Sequence, residues 1–176
     1  MNICVFEYIP SMFRKSLIFL CLCWMVLSFH CSYTQSKKVE PVKVVLSGQD
    51  KMNLRLDSFV KYWLYKPYVY GGHSEAGIDC SALTQLLHKS IFDIDIPRTA
   101  YEQYKASKKI PVNQMQVGDL VFFLSKISPS GWHVGLYLGD GKLFHSANRK
   151  SGVIIQDMTD DMIKHIHGVG RYILNH

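Results

Sequence analysis

His133-Val134-Gly135-Leu136-Tyr137-Leu138-Gly139-Asp140-Gly141-Lys142-Leu143-Phe144-His145-Ser146-Ala147 reads as two strands joined by a glycine-rich turn. Glycine reaches the left-handed backbone region that tight turns require, so Gly-Asp-Gly between two apolar runs signals a hairpin. The length of the turn decides the faces. A two-residue turn pairs Leu138 with Leu143 and sends His133 and His145 to opposite sides. A three-residue loop, Gly139-Asp140-Gly141 with Gly141 left-handed, reverses the parity, because strand side chains alternate with a period of two. It gathers His133, Gly135, Tyr137, Leu143, His145 and Ala147 on one face. Val134, Leu136, Leu138 and Phe144 then form an all-apolar opposite face, and that segregation selects the three-residue register. Gly135 falls diagonally between the histidines, where a helix start could approach closely.

Leu120-Val121-Phe122-Phe123 after Gly118-Asp119 is a compact apolar strand, and Val153-Ile154-Ile155 and Val169–Leu174 supply two more. Upstream the period changes. Leu56, Phe59, Val60, Trp63 and Leu64 recur at helical spacing and predict an amphipathic helix over 53–65, stopped by Pro67. Thr99-Ala100-Tyr101-Glu102 has the capping-box spacing and opens a short helix ending near Ala106, while Ile96 before Pro97 is extended. Between them, Gly77-Ile78-Asp79-Cys80-Ser81-Ala82-Leu83 places a cysteine where a turn becomes a helix, with Asp79 as N-cap and the helix running from about Cys80 to Lys89. Helices first and an antiparallel meander second define an α+β domain over 53–176. Its helices pack on one face of a five- to six-stranded antiparallel sheet.

The first residues are not fold material. Arg14 and Lys15 precede the apolar run 17–29, which is short for the roughly 20 residues a bilayer span needs and fits a secretory signal. Cys31 ends the run, and polar Ser32–Lys38 follows. Hydrophobic run, cysteine and polar tether are the layout of a bacterial lipoprotein signal, so residues 1–31 read as a leader with lipidation at Cys31. Phe29 and His30 are bulky for such processing, which keeps simple cleavage or an uncleaved anchor as alternatives. Residues 32–52 read as a tether with one short strand at 42–46. The protein is therefore expected to be exported to the cell envelope, anchored by lipid to a membrane facing the periplasm or wall.

Cysteine usage sharpens this. Of five cysteines, Cys4, Cys21, Cys23 and Cys31 belong to the leader, and Cys80 alone lies in the body. Exported proteins normally pair their thiols, so a lone one is either a small buried hydrophobe or a reactive group. Helix-start N–H groups and the macrodipole favour negative charge, which is expected to lower the Cys80 pKa. A cysteine nucleophile also needs a base, usually histidine, and a third group to orient that base. His133 and His145 on one face can supply both. The plain alternative is a pair of half-buried strand histidines with no chemistry.

Taken together, Tyr68-x-Tyr70-Gly71-Gly72, Gly77–Ser81, Pro97-Arg98-Thr99 with Gln103, Gly118–Phe123 and His133–Gly139 through His145 resemble the NlpC-type cell-wall peptidases, which are papain-like cysteine endopeptidases. The likeness runs from about Leu56 to Leu174 with every motif in order. It implies Cys80 as nucleophile, His133 as general base and His145 as the member that orients His133. Tyr68 matches a tyrosine that assists substrate binding or the oxyanion, Asp79 and Ser81 match positions lining the cleft, and Arg98 matches a motif position without an assigned role. Ala82 departs from the family's usual glycine. The implied substrate is the peptidoglycan stem peptide, commonly cut between γ-D-glutamate and diaminopimelate, with no metal or cofactor.

Three other readings compete. Cys80, His133 and His145 are ligand types that suit zinc, although no short-spaced ligand pair accompanies them. A wall-binding module without catalysis is a second, and an amidase or acyltransferase on the same fold is a third. The net charge of +6 suits an anionic wall polymer and equally an ordinary solvated surface. Its lysines are dispersed and no recognition motif is present, which argues against nucleic acid. Nothing in the sequence sets an oligomeric state.

Overall fold

The computed structural model describes residues 47–172. The leader, Cys31, the strand expected at 42–46 and the end of the strand expected to reach Leu174 lie outside them. Helix α1, Gly48–Trp63, begins earlier than the period predicted. Ser47 caps it: its hydroxyl accepts from the N–H of Asp50, whose carboxylate accepts from the N–H of Ser47. Only Leu56, Val60 and Trp63 are buried, so the apolar pattern marked the packed half and not the exposed first turns. Residues 48–52, expected as tether, are thus helical.

Two short strands, β1 (His73–Ser74) and β2 (Gly77–Ile78), lead into α2, Cys80–Leu87, whose N-cap is Asp79 as expected. The chain continues through a wider π turn, His88–Phe92, which Asp93 ends in the left-handed region at φ 55°. Helix α3, Ala100–Ala106, is capped by Thr99. Then come β3 (Lys108–Ile110), β4 (Leu120–Leu124), β5 (Trp132–Gly139), β6 (Lys142–Asn148), β7 (Gly152–Asp157), α4 (Asp160–Lys164) and β8 (Ile166–Arg171). The six main strands are ordered β3-β8-β4-β5-β6-β7, and every pairing is antiparallel. β3 and α4 carry no apolar period, and the sequence reading missed both.

The sheet's two faces differ. Leu120, Phe122, Val134, Leu136 and Phe144 meet Leu83 and Leu87 of α2, Val60 and Trp63 of α1 and Ala100 of α3 in the main core. Each of the Val, Leu and Phe side chains removed from water contributes roughly 1.5–3 kcal/mol. On the reverse face Val121, Leu143 and Met158 form a smaller cluster with Phe123, Tyr137 and Met162. Helices α1–α3 therefore cover one face, and α4 lies on the other.

The β5–β6 hairpin has the predicted parity by a different construction. Tyr137 pairs with Leu143 and Leu136 with Phe144, but Gly139 pairs with Lys142. The turn proper is Asp140-Gly141, both left-handed at φ 48° and 68°, and a bulge between Tyr137 and Gly139 supplies the odd residue. The motif Gly118-Asp119 also acquires a physical reason. Asp119 is buried, and its carboxylate accepts from Arg171 Nε at 2.7 Å and Nη2 at 2.8 Å and from the N–H of Gln116. This fork ties the entry of β4 to the end of β8.

Candidate active site

Cys80 is the first residue of α2, and its side chain is buried, 7% exposed. The backbone N–H groups of Val134, the residue after His133 on β5, and of Ser81 and Cys80 at the helix start act on the sulfur to favour its charged form. The thiol thus meets the sheet beside the predicted base. Its acidity differs from expectation. Burial pushes the Cys80 pKa up to about 11, and the neighbouring Asp79 charge adds to the rise, outweighing those three N–H groups. The helix-start effect is real but smaller than the loss of water.

His133 and His145 share a face, as the parity predicted. Nε2 of His133 and Nδ1 of His145 are 2.8 Å apart, with ring planes at 72°. On the far side Nε2 of His145 lies 3.1 Å from Oε1 of Gln156, and Gln156 Nε2 donates to Met162 Sδ at 3.3 Å. Burial lowers His133 to about 3, with the charge of His145 adding to the effect, and lowers His145 to about 4 against the opposing bond to Gln156. Both rings are therefore neutral at neutral pH. Gly135 does not serve as a helix contact. A Cβ there would meet Leu143 at 2.8 Å and the Cβ of His145 at 3.1 Å, so the cross-strand neighbours occupy that space.

Two cavities adjoin at this point. One, of about 470 Å³, is walled by His133, His145, Gln156, Arg149 and Phe123. The other, of about 270 Å³, is walled by Cys80, Asp79, Ser81 and Arg98. Tyr68, Tyr70 and Ser128 belong to both, so the thiol and the imidazoles open onto one cleft. Tyr68 is half-buried and held by backbone bonds between Pro67, Val69 and Ile78. Burial raises its pKa, and the nearby Cys80 and Asp79 raise it further, so the hydroxyl keeps its proton.

Asp79 and Ser81 line the cleft, but their polar atoms are already engaged. Asp79 accepts from Arg98 at 2.7 and 3.0 Å, from the N–H of Ala82 at 2.8 Å, from the Ser81 hydroxyl at 3.0 Å and from the N–H of Gly71 at 3.0 Å. Burial alone would raise this carboxyl. The bonds from Arg98, Ala82 and Ser81 outweigh it and hold the pKa below the usual carboxylate range. Arg98 also donates to Ser81 Oγ and to the carbonyl of Gly72. It is the clamp that fixes the start of α2 against the Tyr68–Gly72 segment. Gln103, wholly buried, bonds the carbonyls of Ser81 and Pro97 and the Thr84 hydroxyl, joining α2 to α3. Its place in a motif was visible in the sequence; its bonding was not. Gln156 and Met162 were missed, because their only signal is spatial. Ala82 is fully buried in the core, where a small side chain fits. Among the described residues no group of three His, Cys, Asp or Glu side chains is disposed to hold a metal. His167 packs between Tyr104 and Trp132 at ring distances of 5.1 and 4.9 Å, apart from the site.

A helix-borne thiol set against a sheet that carries the imidazoles is the α+β, papain-like arrangement. The NlpC/P60 family model matches residues 65–171, and the chain belongs to that family. It is 34% identical over 113 residues to murein DD-endopeptidase MepS/murein LD-carboxypeptidase of Escherichia coli, a match covering 64% of this chain and 58% of that protein. It is 38% identical over 100 residues to the gamma-D-glutamyl-L-lysine dipeptidyl-peptidase of Bacillus subtilis, covering 56% of this chain and 33% of that protein. The chain thus spans 58% and 33% of the lengths of these relatives. Among solved structures, an NlpC/P60 family protein from Bacillus cereus superposes with a TM-score of 0.59 at 33% identity, over 67% of this chain and 39% of that one.

Proposed function

We propose that this protein is a peptidoglycan hydrolase, a cysteine endopeptidase that cuts the stem peptides of the bacterial wall through an acyl-enzyme. The observation that carries the reading is the hydrogen-bonded imidazole pair, 2.8 Å between facing nitrogens, opening onto the same cleft as a helix-start thiol. His133 takes the thiol proton as Cys80 attacks the scissile carbonyl. The N–H groups of Cys80 and Ser81, with the Tyr68 hydroxyl, stabilise the oxyanion. His133 then protonates the leaving amine, and water releases the acyl group. His145 orients His133. Asp79 and Ser81 contribute a fixed wall, and Arg98, held by Asp79, completes it.

The bond proposed is that between γ-D-glutamate and diaminopimelate, supported by the γ-D-glutamyl specificity named for the Bacillus relative. The Escherichia coli relative is named for DD-endopeptidase and LD-carboxypeptidase action, which supports cross-link cleavage as the second reading. Digestion of purified sacculi, followed by mass analysis of the muropeptides, separates them. The first reading predicts fragments ending in γ-D-glutamate; the second predicts cross-linked dimers resolved into monomers. Intact, still cross-linked stem peptides after exhaustive incubation would refute the hydrolase.

The same reading places the protein in the cell envelope, tethered through an acylated Cys31 at the end of the leader. Growth with a labelled fatty acid is expected to label the wild-type chain and to leave Cys31→Ala unlabelled. Equal labelling of both removes the anchor.

A further inference from the structure

We propose that Gln156 is a positioning residue: held by the Met162 sulfur, it fixes the tautomers of His145 and His133 so that Nδ1 of His133 keeps its lone pair for the thiol proton. The inference rests on the reading of His133 as the base. A thioether sulfur accepts and cannot donate, so Met162 Sδ, 3.3 Å from Gln156, selects the amide nitrogen as its neighbour. The carbonyl Oε1 is thereby turned toward His145 Nε2, 3.1 Å away. An acceptor there places the His145 proton on Nε2 and leaves Nδ1 with its lone pair. Nδ1 can then only accept, so the proton in the 2.8 Å contact belongs to Nε2 of His133. What remains on His133 is an unprotonated Nδ1.

The opposite amide orientation gives the opposite chain. An amide NH2 donating to His145 Nε2 moves the His145 proton to Nδ1, which donates to His133 Nε2. The His133 proton then sits on Nδ1, and that ring has no lone pair with which to take a proton from Cys80. One orientation is productive and the other is dead. Because burial keeps both rings neutral, the tautomer and not the charge is the variable near neutral pH. The sulfur is placed by α4, whose N-cap Thr159 accepts from the N–H of Met162 at 3.2 Å. The helix on the reverse face of the sheet thus sets the state of a site opening on its rim.

The test uses the full-length protein labelled with nitrogen-15 at histidine, read by imidazole chemical shifts, with muropeptide release measured in parallel. Wild type is expected to show His145 and His133 both protonated on Nε2. Gln156→Leu removes the acceptor and should raise the Nδ1-protonated form of His145. It should lower kcat by about 10- to 100-fold, with KM within about twofold, the size of a general-base contribution partly lost. Gln156→Glu restores an acceptor and should return both the Nε2 tautomer and most of the rate. Met162→Leu keeps the volume but releases the amide, and should give a mixed tautomer and an intermediate kcat. A wild-type His145 protonated on Nδ1 overturns the proposal. So does a folded Gln156→Leu with wild-type kcat, or a Gln156→Glu no better than Gln156→Leu. The wild-type spectrum decides the matter even if the protein releases nothing from the wall, so failure here and failure of the hydrolase reading are distinguishable.

Discussion

Cys80→Ala is expected to reduce stem-peptide cleavage to background, a loss on the order of 10⁵-fold in kcat, because Cys80 is the proposed nucleophile and its loss removes the whole covalent pathway. Binding should survive. The cleft walls at Tyr68, Arg98, His133 and Arg149 are untouched, and losing one sulfur atom from a side chain only 7% exposed costs about 1 kcal/mol of stability. The variant should therefore still sediment with sacculi while cutting nothing. A Cys80→Ala protein that cuts as well as wild type would eliminate the mechanism. Wild type that binds without cutting would leave the wall-binding module. The raised thiol pKa adds a second readout. With the thiol pushed up to about 11, alkylation of resting enzyme by iodoacetamide is expected to be slow at pH 7. Its rate should rise about tenfold per pH unit toward pH 10, in proportion to the thiolate fraction. A plateau already reached at pH 7 would show that the site holds a standing thiolate–imidazolium pair, contrary to the desolvation argument.

Acid is expected to unfold this domain steeply. His88 is 1% exposed, its Nδ1 is 2.9 Å from the Thr84 carbonyl, and its ring packs against Phe92 and Tyr172. Burial lowers its pKa to about 4, as it lowers His133 to about 3 and His145 to about 4. A base whose folded pKa lies below its unfolded value near 6.5 resists protonation only in the native state. Its contribution is complete above about pH 6.5 and shrinks as pH falls, while the unfolded chain takes up protons, until the folded pKa is reached. Each such group removes about 1.4 kcal/mol per pH unit, and the three together about 4 kcal/mol per unit. Against a typical stability of 5–15 kcal/mol, a drop from pH 6.5 to pH 5 consumes a large part of the whole. Asp79, whose pKa is held low by Arg98 against burial, adds loss in the same direction at more acid pH. Urea midpoints measured from pH 7.5 to 5 should fall accordingly, and His88→Gln should reduce the slope by about a third. A midpoint independent of pH over that range would contradict the buried, neutral state of these rings.

The architecture was legible where the sequence is periodic. The spacing from Leu56 to Trp63, the Asp79 and Thr99 caps and the alternation around Gly139–Gly141 all describe local physics, and the chain obeys it. β3 was silent because an edge strand needs no apolar run: Lys108 and Lys109 are exposed, and they discourage pairing with another chain. α4 was silent because five exposed or half-buried residues carry no stripe. The site was half legible. Residue type and parity pointed to Cys80, His133 and His145. The fork of Arg98 on Asp79 and the carbonyl of Gln156 on His145 join residues far apart in sequence, and nothing in their local context marks the partner. The acidity of Cys80 was misjudged because burial is a property of the assembled core and not of a helix start.

The bulge between Tyr137 and Gly139 has a consequence for how this hairpin can change length. With the Asp140-Gly141 turn alone, His145 would rotate into the layer occupied by Leu83 and Phe122, and Phe144 would take the rim of the cleft. A single deletion there exchanges the greasy and the working sides of β6 at one stroke, whereas a paired insertion or deletion leaves both in place. Length variants of this segment that retain function should therefore differ by even numbers of residues, a counting rule imposed by the pleat.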